Sequence, residues 1–137
     1  MIVLDTNVIS EVMRGPDADQ GVLRWLRRLP ETPVTTVVNR AEVLAGIAIL
    51  PPGRRTDVLR TAAERAFEAL GACLPLTGAC ASRYADVLDA RRSAGAPIGG
   101  FDALIAAICL EAGTTLATRD SAGFAGLGLP VIDPWSV

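Results

Sequence analysis

Apolar residues fall along this chain in two alternating rhythms. Short runs of apolar or β-branched residues (Met1-Ile2-Val3-Leu4, Ala72-Cys73-Leu74-Pro75-Leu76, Thr114-Thr115-Leu116-Ala117-Thr118, Leu129-Pro130-Val131-Ile132) alternate with longer stretches in which apolar residues return every three or four positions. The short runs predict strands, and the first, β-branched and wholly apolar, predicts a buried parallel one. Pro75 marks its run as edge-like. The longer stretches predict helices. The first covers Asn7 to Arg14, with Val8, Ile9, Val12 and Met13 on one face, and Gly15-Pro16 ends it. Pro16-Asp17-Ala18-Asp19 predicts the next start, with acids in the first turn and Val22, Trp25, Leu26 and Leu29 as its stripe. Arg24, Arg27 and Arg28 lie towards its C-terminal end, where cations suit the helix dipole better than they argue for phosphate binding.

After the turn at Pro30–Pro33, Val34-Thr35 is a short strand candidate. Thr35 or Thr36 caps a helix running through Ala41 to Leu50, with Val43, Leu44, Ile47 and Leu50 as its buried face. Pro51-Pro52-Gly53 breaks the pattern, which resumes from Arg54 to Leu70 with Gly71 as its C′ residue. Thr77 caps a helix carrying Tyr84, Val87 and Leu88 inward, stopped by Gly95. Phe101-Asp102 opens another, with Phe101, Leu104, Ile105, Ile108 and Ala112 in helical spacing and Gly113 at its end. Ser121 to Leu127 is a short helical or irregular segment. The alternation predicts an α/β fold: a single domain over residues 1–137, with a mostly parallel central sheet flanked by helices.

Composition narrows the chemistry. Of 137 residues, half are hydrophobic and a fifth charged, as in a folded globular chain. Aromatics are few, so Ala, Val, Leu and Ile must build the core. No apolar segment approaches the ~18 residues of a membrane helix, and no basic leader precedes a long apolar run, so a cytoplasmic protein with no membrane partner is expected. Cys73, Cys80 and Cys109 form no CxxC pair and read as buried thiols in a reducing compartment. Histidine is absent, which excludes His-dependent triads and imidazole metal sites. All thirteen basic residues are Arg, so Schiff-base and P-loop lysine chemistry is excluded too. A net charge of −2 gives no overall nucleic-acid signature.

What remains is carboxylate chemistry. Asp5 follows the first strand directly, where open α/β sheets bind ligands. Asp5 or Asn7 could equally cap the next helix. Glu42 lies off the apolar stripe early in its helix, Asp102 falls in a helical first turn behind two glycines, and Asp120 follows the strand at Thr114–Thr118. Each alone has an ordinary structural reading, as a cap or a solvated acid. Together they fall where strand ends and helix starts share one sheet edge. Four carboxylates converging there repel unless a cation neutralises them. An all-oxygen set suits Mg²⁺ or Mn²⁺, which serve phosphodiester hydrolysis.

The order strand-Asp-Thr-Asn, helix Glu, helix-opening Asp and strand-Thr-Arg-Asp resembles the PIN-domain ribonucleases, and in particular the VapC toxins of bacterial toxin–antitoxin pairs. The residues that carry the resemblance are Ile2-Val3-Leu4-Asp5-Thr6-Asn7, Ala41-Glu42, Phe101-Asp102-Ala103-Leu104-Ile105-Ala106-Ala107 and Ala117-Thr118-Arg119-Asp120. The closing segment from Gly126 to Trp135 is similar to the FitB-related subgroup. The resemblance implies a Mg²⁺-dependent endoribonuclease, with Mn²⁺ able to substitute. Asp5 and Asp102 would be the leading metal ligands, Glu42 would ligate directly or through water and orient the attacking water, and Asp120 would occupy a fourth acidic position that is Asn in many relatives. Thr6 and Thr118 would supply supporting hydroxyls. Arg119 would contact an RNA phosphate or pair with a site carboxylate, and Asn7 would cap a helix or touch substrate. The implied partners are a VapB-type antitoxin that presents a basic side chain to the acids, a tRNA or rRNA substrate, a second copy of the chain in a homodimer and toxin–antitoxin hetero-oligomer, and operator DNA only through the antitoxin.

Two other readings compete. One is a catalytically inactive PIN-like module that binds RNA or protein. The other is a phosphatase or phosphotransferase with Asp5 as nucleophile, which is weakened by Asn7 in place of a second Asp and by the missing Lys.

Overall fold

The computed structural model describes residues 1–137. Strand β1 (Ile2–Leu4) leads into α1 (Thr6–Met13) and, past a 3-10 turn at Gly15–Asp17, α2 (Gln20–Arg27). Then come β2 (Thr35–Thr36), α3 (Val37–Ala48), α4 (Arg54–Ala69), β3 (Cys73–Leu74), α5 (Cys80–Ser93) and α6 (Gly100–Ala112). Strand β4 (Thr115–Ala117), a 3-10 turn at Ala122–Phe124 and β5 (Val131–Ile132) complete the chain. Strand β1 pairs with β4, β4 with β5 and β2 with β3, all parallel. A parallel bridge between Val3 and Val34 joins the two groups, with Leu4 N–H on Val34 O and Val34 N–H on Ile2 O, both at 2.9 Å. The sheet therefore runs β3-β2-β1-β4-β5, with β1 at its centre and every strand ending on the same edge.

Burial on both faces accounts for the unbroken apolar strands. Val3 and Leu116 pack into a core under α5 and α6 with Val87, Ile105, Ile108 and Phe124. Their neighbours Leu4 and Ala117 point to the other face, into a core with Val8, Ile9, Val22, Val43 and Ala63. Ala103, Ala106 and Ala107 are fully buried on α6, small enough for close helix approach where aromatics are scarce. Gly113 takes the left-handed conformation (φ 67°) that ends α6.

Several expectations are corrected. Leu44 and Leu50 are exposed; the inward arc of α3 is instead Val38, Asn39, Val43 and Ile47, because the helix turns Asn39 towards the sheet edge. Phe101 is 59% exposed, since it falls in the first turn outside the buried arc of α6. Cys73 is exposed because β3 is the outer strand, while Cys80 and Cys109 are buried. Burial pushes the Cys109 thiol up to about 12, so it stays protonated and inert. Pro16 and Asp17 form the 3-10 turn, and α2 starts only after Asp19, whose carboxylate accepts the Val22 N–H. Thr77 offers Cys80 N–H its carbonyl and caps nothing with its side chain. Gly71 does follow the C-cap Leu70 as the C′ residue, but not in the left-handed conformation: its N–H meets Pro33 O at 2.9 Å, and a Cβ there would stand 3.3 Å from the Val34 side chain. Glu11, which the pattern gave no reason to bury, is buried with its carboxylate on Arg14 and the Asp19 N–H. No helix is long and apolar enough to cross a membrane.

Ile105 is fully buried at the centre of the α6 core. Ile105→Ala should therefore cost about 2–5 kcal/mol of unfolding free energy in a urea titration, against under ~0.5 kcal/mol for a truncation at exposed Val58.

Candidate active site

The last rung between β1 and β4 is Asp5 N–H on Ala117 O at 2.9 Å. Beyond it the chain turns from extended backbone at Asp5 into α1, and the Asp5 carboxylate accepts the Thr6 N–H as helix cap. Capping and site placement are thus one geometry. Asp5 is only 5% exposed, so its charge must be met by hydrogen bonds. Oδ1 accepts from Thr6 N–H and from Asn39 Nδ2, each at 2.9 Å. Oδ2 accepts the Thr118 hydroxyl at 2.7 Å. A carboxylate oxygen has two acceptor positions, so Oδ1 is filled and Oδ2 keeps one.

The remaining contacts build outward from this carboxylate. Thr6 donates its hydroxyl to Glu42 Oε1 at 2.9 Å, joining α1 to α3. Asn7 is not the cap; its amide donates to Thr118 Oγ1 at 3.1 Å, and its oxygen accepts the Arg119 N–H at 3.2 Å. Thr118 Oγ1 also accepts the Asp120 N–H. Arg119 spreads over the Trp135 ring, 4.9 Å from its centroid, and pairs with no site carboxylate. Asp120 is exposed, and its Oδ1 accepts the Gly123 N–H at 3.1 Å, capping the following 3-10 turn.

The four acids share one electrostatic environment. The Asp102 carboxyl is pushed up to about 6, first by burial and then by the charges of Asp5, Glu42 and Asp120. No Arg compensates them: the ion pairs of the chain engage Glu11, Glu31, Asp57 and Glu111 instead. No three of the acids stand close enough to grip one ion unaided. The donor set is all oxygen, partly open and short of positive charge, which fits a hydrated Mg²⁺ that keeps several waters. A cleft of about 970 Å³ lies elsewhere, between the end of α1 and α4, and none of the four acids lines it.

The PIN domain family model matches residues 2–128. The chain belongs to the PIN-domain family. It is 42% identical to the plasmid stability protein StbB of Pseudomonas syringae pv. tomato, over 98% of this chain and 99% of that one. It is 37% identical to the VapC ribonuclease Y4jK of Sinorhizobium fredii, over 98% of each chain. The solved structure of FitAB bound to the IR36 DNA fragment superposes with a TM-score of 0.87 at 33% identity, covering all of this chain and 97% of that one.

Of the residues singled out from sequence, Asp5, Thr6, Asn7, Glu42 and Thr118 fall into one hydrogen-bonded network. Asp102 joins it by charge alone. Asp120 and Arg119 lie at its rim, engaged with Gly123 and Trp135. Asn39 was missed as a member. Its one sequence signal is its place a helical turn before Glu42, on the face that the apolar pattern assigns to the core.

The raised Asp102 carboxyl carries a stability prediction. Below pH ~4 it is protonated folded or unfolded and contributes nothing; between about 4 and 6 the folded state holds the proton longer, so stability falls as pH rises; above 6 the repulsion is fully present. Metal-free Asp102→Asn should therefore match wild type near pH 4 and exceed it by about 1 kcal/mol at pH 7, a figure reduced for solvent screening at this partly exposed side chain. Chemical denaturation across that range checks it.

Proposed function

We propose that this chain is the endoribonuclease toxin of a VapBC-type pair, hydrolysing phosphodiester bonds of structured RNA, tRNA or rRNA, at an acidic site that uses Mg²⁺ or Mn²⁺. The observation that carries the reading is Asp5: a buried carboxylate at the sheet's carboxyl edge, held from three elements, with an acceptor position left on Oδ2 and three further acids beside it uncompensated. A buried site so short of positive charge is a poor structural choice and a good cation seat. The names of the VapC ribonuclease and StbB relatives support the same reading.

Asp5 Oδ2 and the Asp102 carboxylate would hold the ion, and Glu42 would join them directly or through water. When bound, the ion supplies Lewis acidity to water and offsets charge building on the phosphate. The chain's own residues do the rest. Thr6 anchors Glu42 Oε1, leaving Oε2 to orient the attacking water and hold its proton. Thr118 and Asn39 keep Asp5 from rotating. Asp120, at the rim, can exchange its Gly123 N–H for water or ligand at small cost, being exposed. With no histidine or lysine in the chain, these carboxylates are its only general bases in the site.

A VapB-type antitoxin would supply the missing counter-charge through a basic side chain presented to the acids. The FitAB structure, solved bound to the IR36 DNA fragment, supports a hetero-oligomer that meets DNA; this chain, at net charge −2, has little to offer DNA itself, so operator contact falls to the antitoxin in this reading. A homodimer belongs to the same reading, and a tRNA or rRNA target sets its action in the cytoplasm.

The test is cleavage of total bacterial RNA by antitoxin-free protein with Mg²⁺, Mn²⁺ or EDTA. Discrete metal-dependent fragments are expected, lost on EDTA addition and reduced in Asp5→Asn by more than the roughly 10–100-fold typical of outer-shell changes. RNA bound but uncut by folded protein under every metal would make it a binding module instead.

A further inference from the structure

We infer that Asn39 is a positioning residue of the acidic site, fixing which oxygen of Asp5 stays open and which way the Thr6 hydroxyl points; the inference rests on the metal-site reading above. Asn39 is fully buried and so cannot touch substrate. Its side chain is nonetheless committed at both ends. Oδ1 accepts the Thr36 hydroxyl at 2.7 Å, and Nδ2 donates to Asp5 Oδ1 at 2.9 Å and to Thr6 Oγ1 at 3.1 Å.

These bonds have one consistent direction. Thr36 Oγ1 accepts the Asn39 backbone N–H at 3.1 Å and spends its single proton on Asn39 Oδ1. A flipped amide would set Oδ1 against the Asp5 carboxylate, acceptor against acceptor, and strand the Thr36 proton. Both amide protons of Asn39 are therefore turned towards Asp5 and Thr6. Because Thr6 Oγ1 accepts from Asn39, its own proton is left for Glu42 Oε1. The relay runs from Thr36 through Asn39 and Thr6 to Glu42, with a branch that fills Asp5 Oδ1. Without Asn39, Oδ1 keeps only the Thr6 N–H, the carboxylate is free to turn, and the Thr6 hydroxyl can abandon Glu42. Asn39 thus acts through Asp5, Thr6 and Glu42, coupling two acids from different elements into one donor set.

The probe is Mn²⁺ alone, titrated into full-length, antitoxin-free protein and followed by the EPR signal of free Mn²⁺, with thermal unfolding measured in parallel. Asn39→Ala should bind Mn²⁺ about 10–100-fold more weakly while folded. Ile47→Ala, which empties a core position two turns along the same helix, should lose stability yet keep the wild-type Mn²⁺ affinity within about twofold. Thr36→Val, which frees the amide to flip, should weaken binding several-fold. Should Asn39→Ala fail to fold, Thr36→Val decides. Wild-type affinity in Asn39→Ala, or in Thr36→Val where it alone folds, overturns the inference, provided Asp5→Asn has lost binding. If wild type binds Mn²⁺ no better than Asp5→Asn, the metal-site reading fails, and the inference falls with it.

Discussion

Everything at the sheet edge depends on how the chain keeps one buried negative charge. Asp5 lies at the end of the central strand, and water cannot solvate it. Burying an ionised carboxylate is costly unless hydrogen bonds replace its hydration. Three donors do so, from α1, α3 and the residue after β4: Thr6 N–H, Asn39 Nδ2 and the Thr118 hydroxyl. The carboxylate is in turn the common acceptor that ties these three elements to one point. Its solvation and the registration of the site are the same set of bonds.

The other acids are treated differently. Glu42 is tethered through a single hydroxyl, Asp120 spends its carboxylate on a turn, and Asp102 gains only repulsion from its neighbours. None of the chain's thirteen Arg side chains pairs with these acids. Instead Arg119 is drawn off onto Trp135, and Arg91 clamps the Ala122 and Ala125 carbonyls of the 3-10 turn. The negative charge is concentrated where the sheet's strands end, which is the trade expected of a site that takes its counter-charge from outside.

Much of this was legible from the residues. Met1–Leu4 and Thr114–Thr118 announced central parallel strands because both faces of the sheet are covered, and two of the acids, Asp5 and Asp120, follow them at the edge where the strands end. The family resemblance rested on the order of those acids, and the match over residues 2–128 bears it out. What the pattern could not supply was direction around a helix. On α3 it chose Leu44 and Leu50 as inward by apolarity alone, whereas a polar residue, Asn39, takes an inward position because a buried carboxylate waits there. Side-chain partnerships between distant residues were equally hidden. Arg119 has an aromatic partner sixteen positions on, and Asp120 has a nearer N–H to satisfy than any ion. Such choices are decided by competing local contacts, which spacing along a chain does not encode.

In the function proposed above, Asp5 Oδ2 keeps an acceptor position for a cation shared with Asp102. A crystal of the antitoxin-free protein soaked in Mn²⁺ tests it through the anomalous signal. A peak is expected at coordination distance from Asp5 and Asp102, with the Asn39 and Thr118 bonds to Asp5 unchanged. Ordered acids with no peak among them, or an ion held without Asp5, would contradict it.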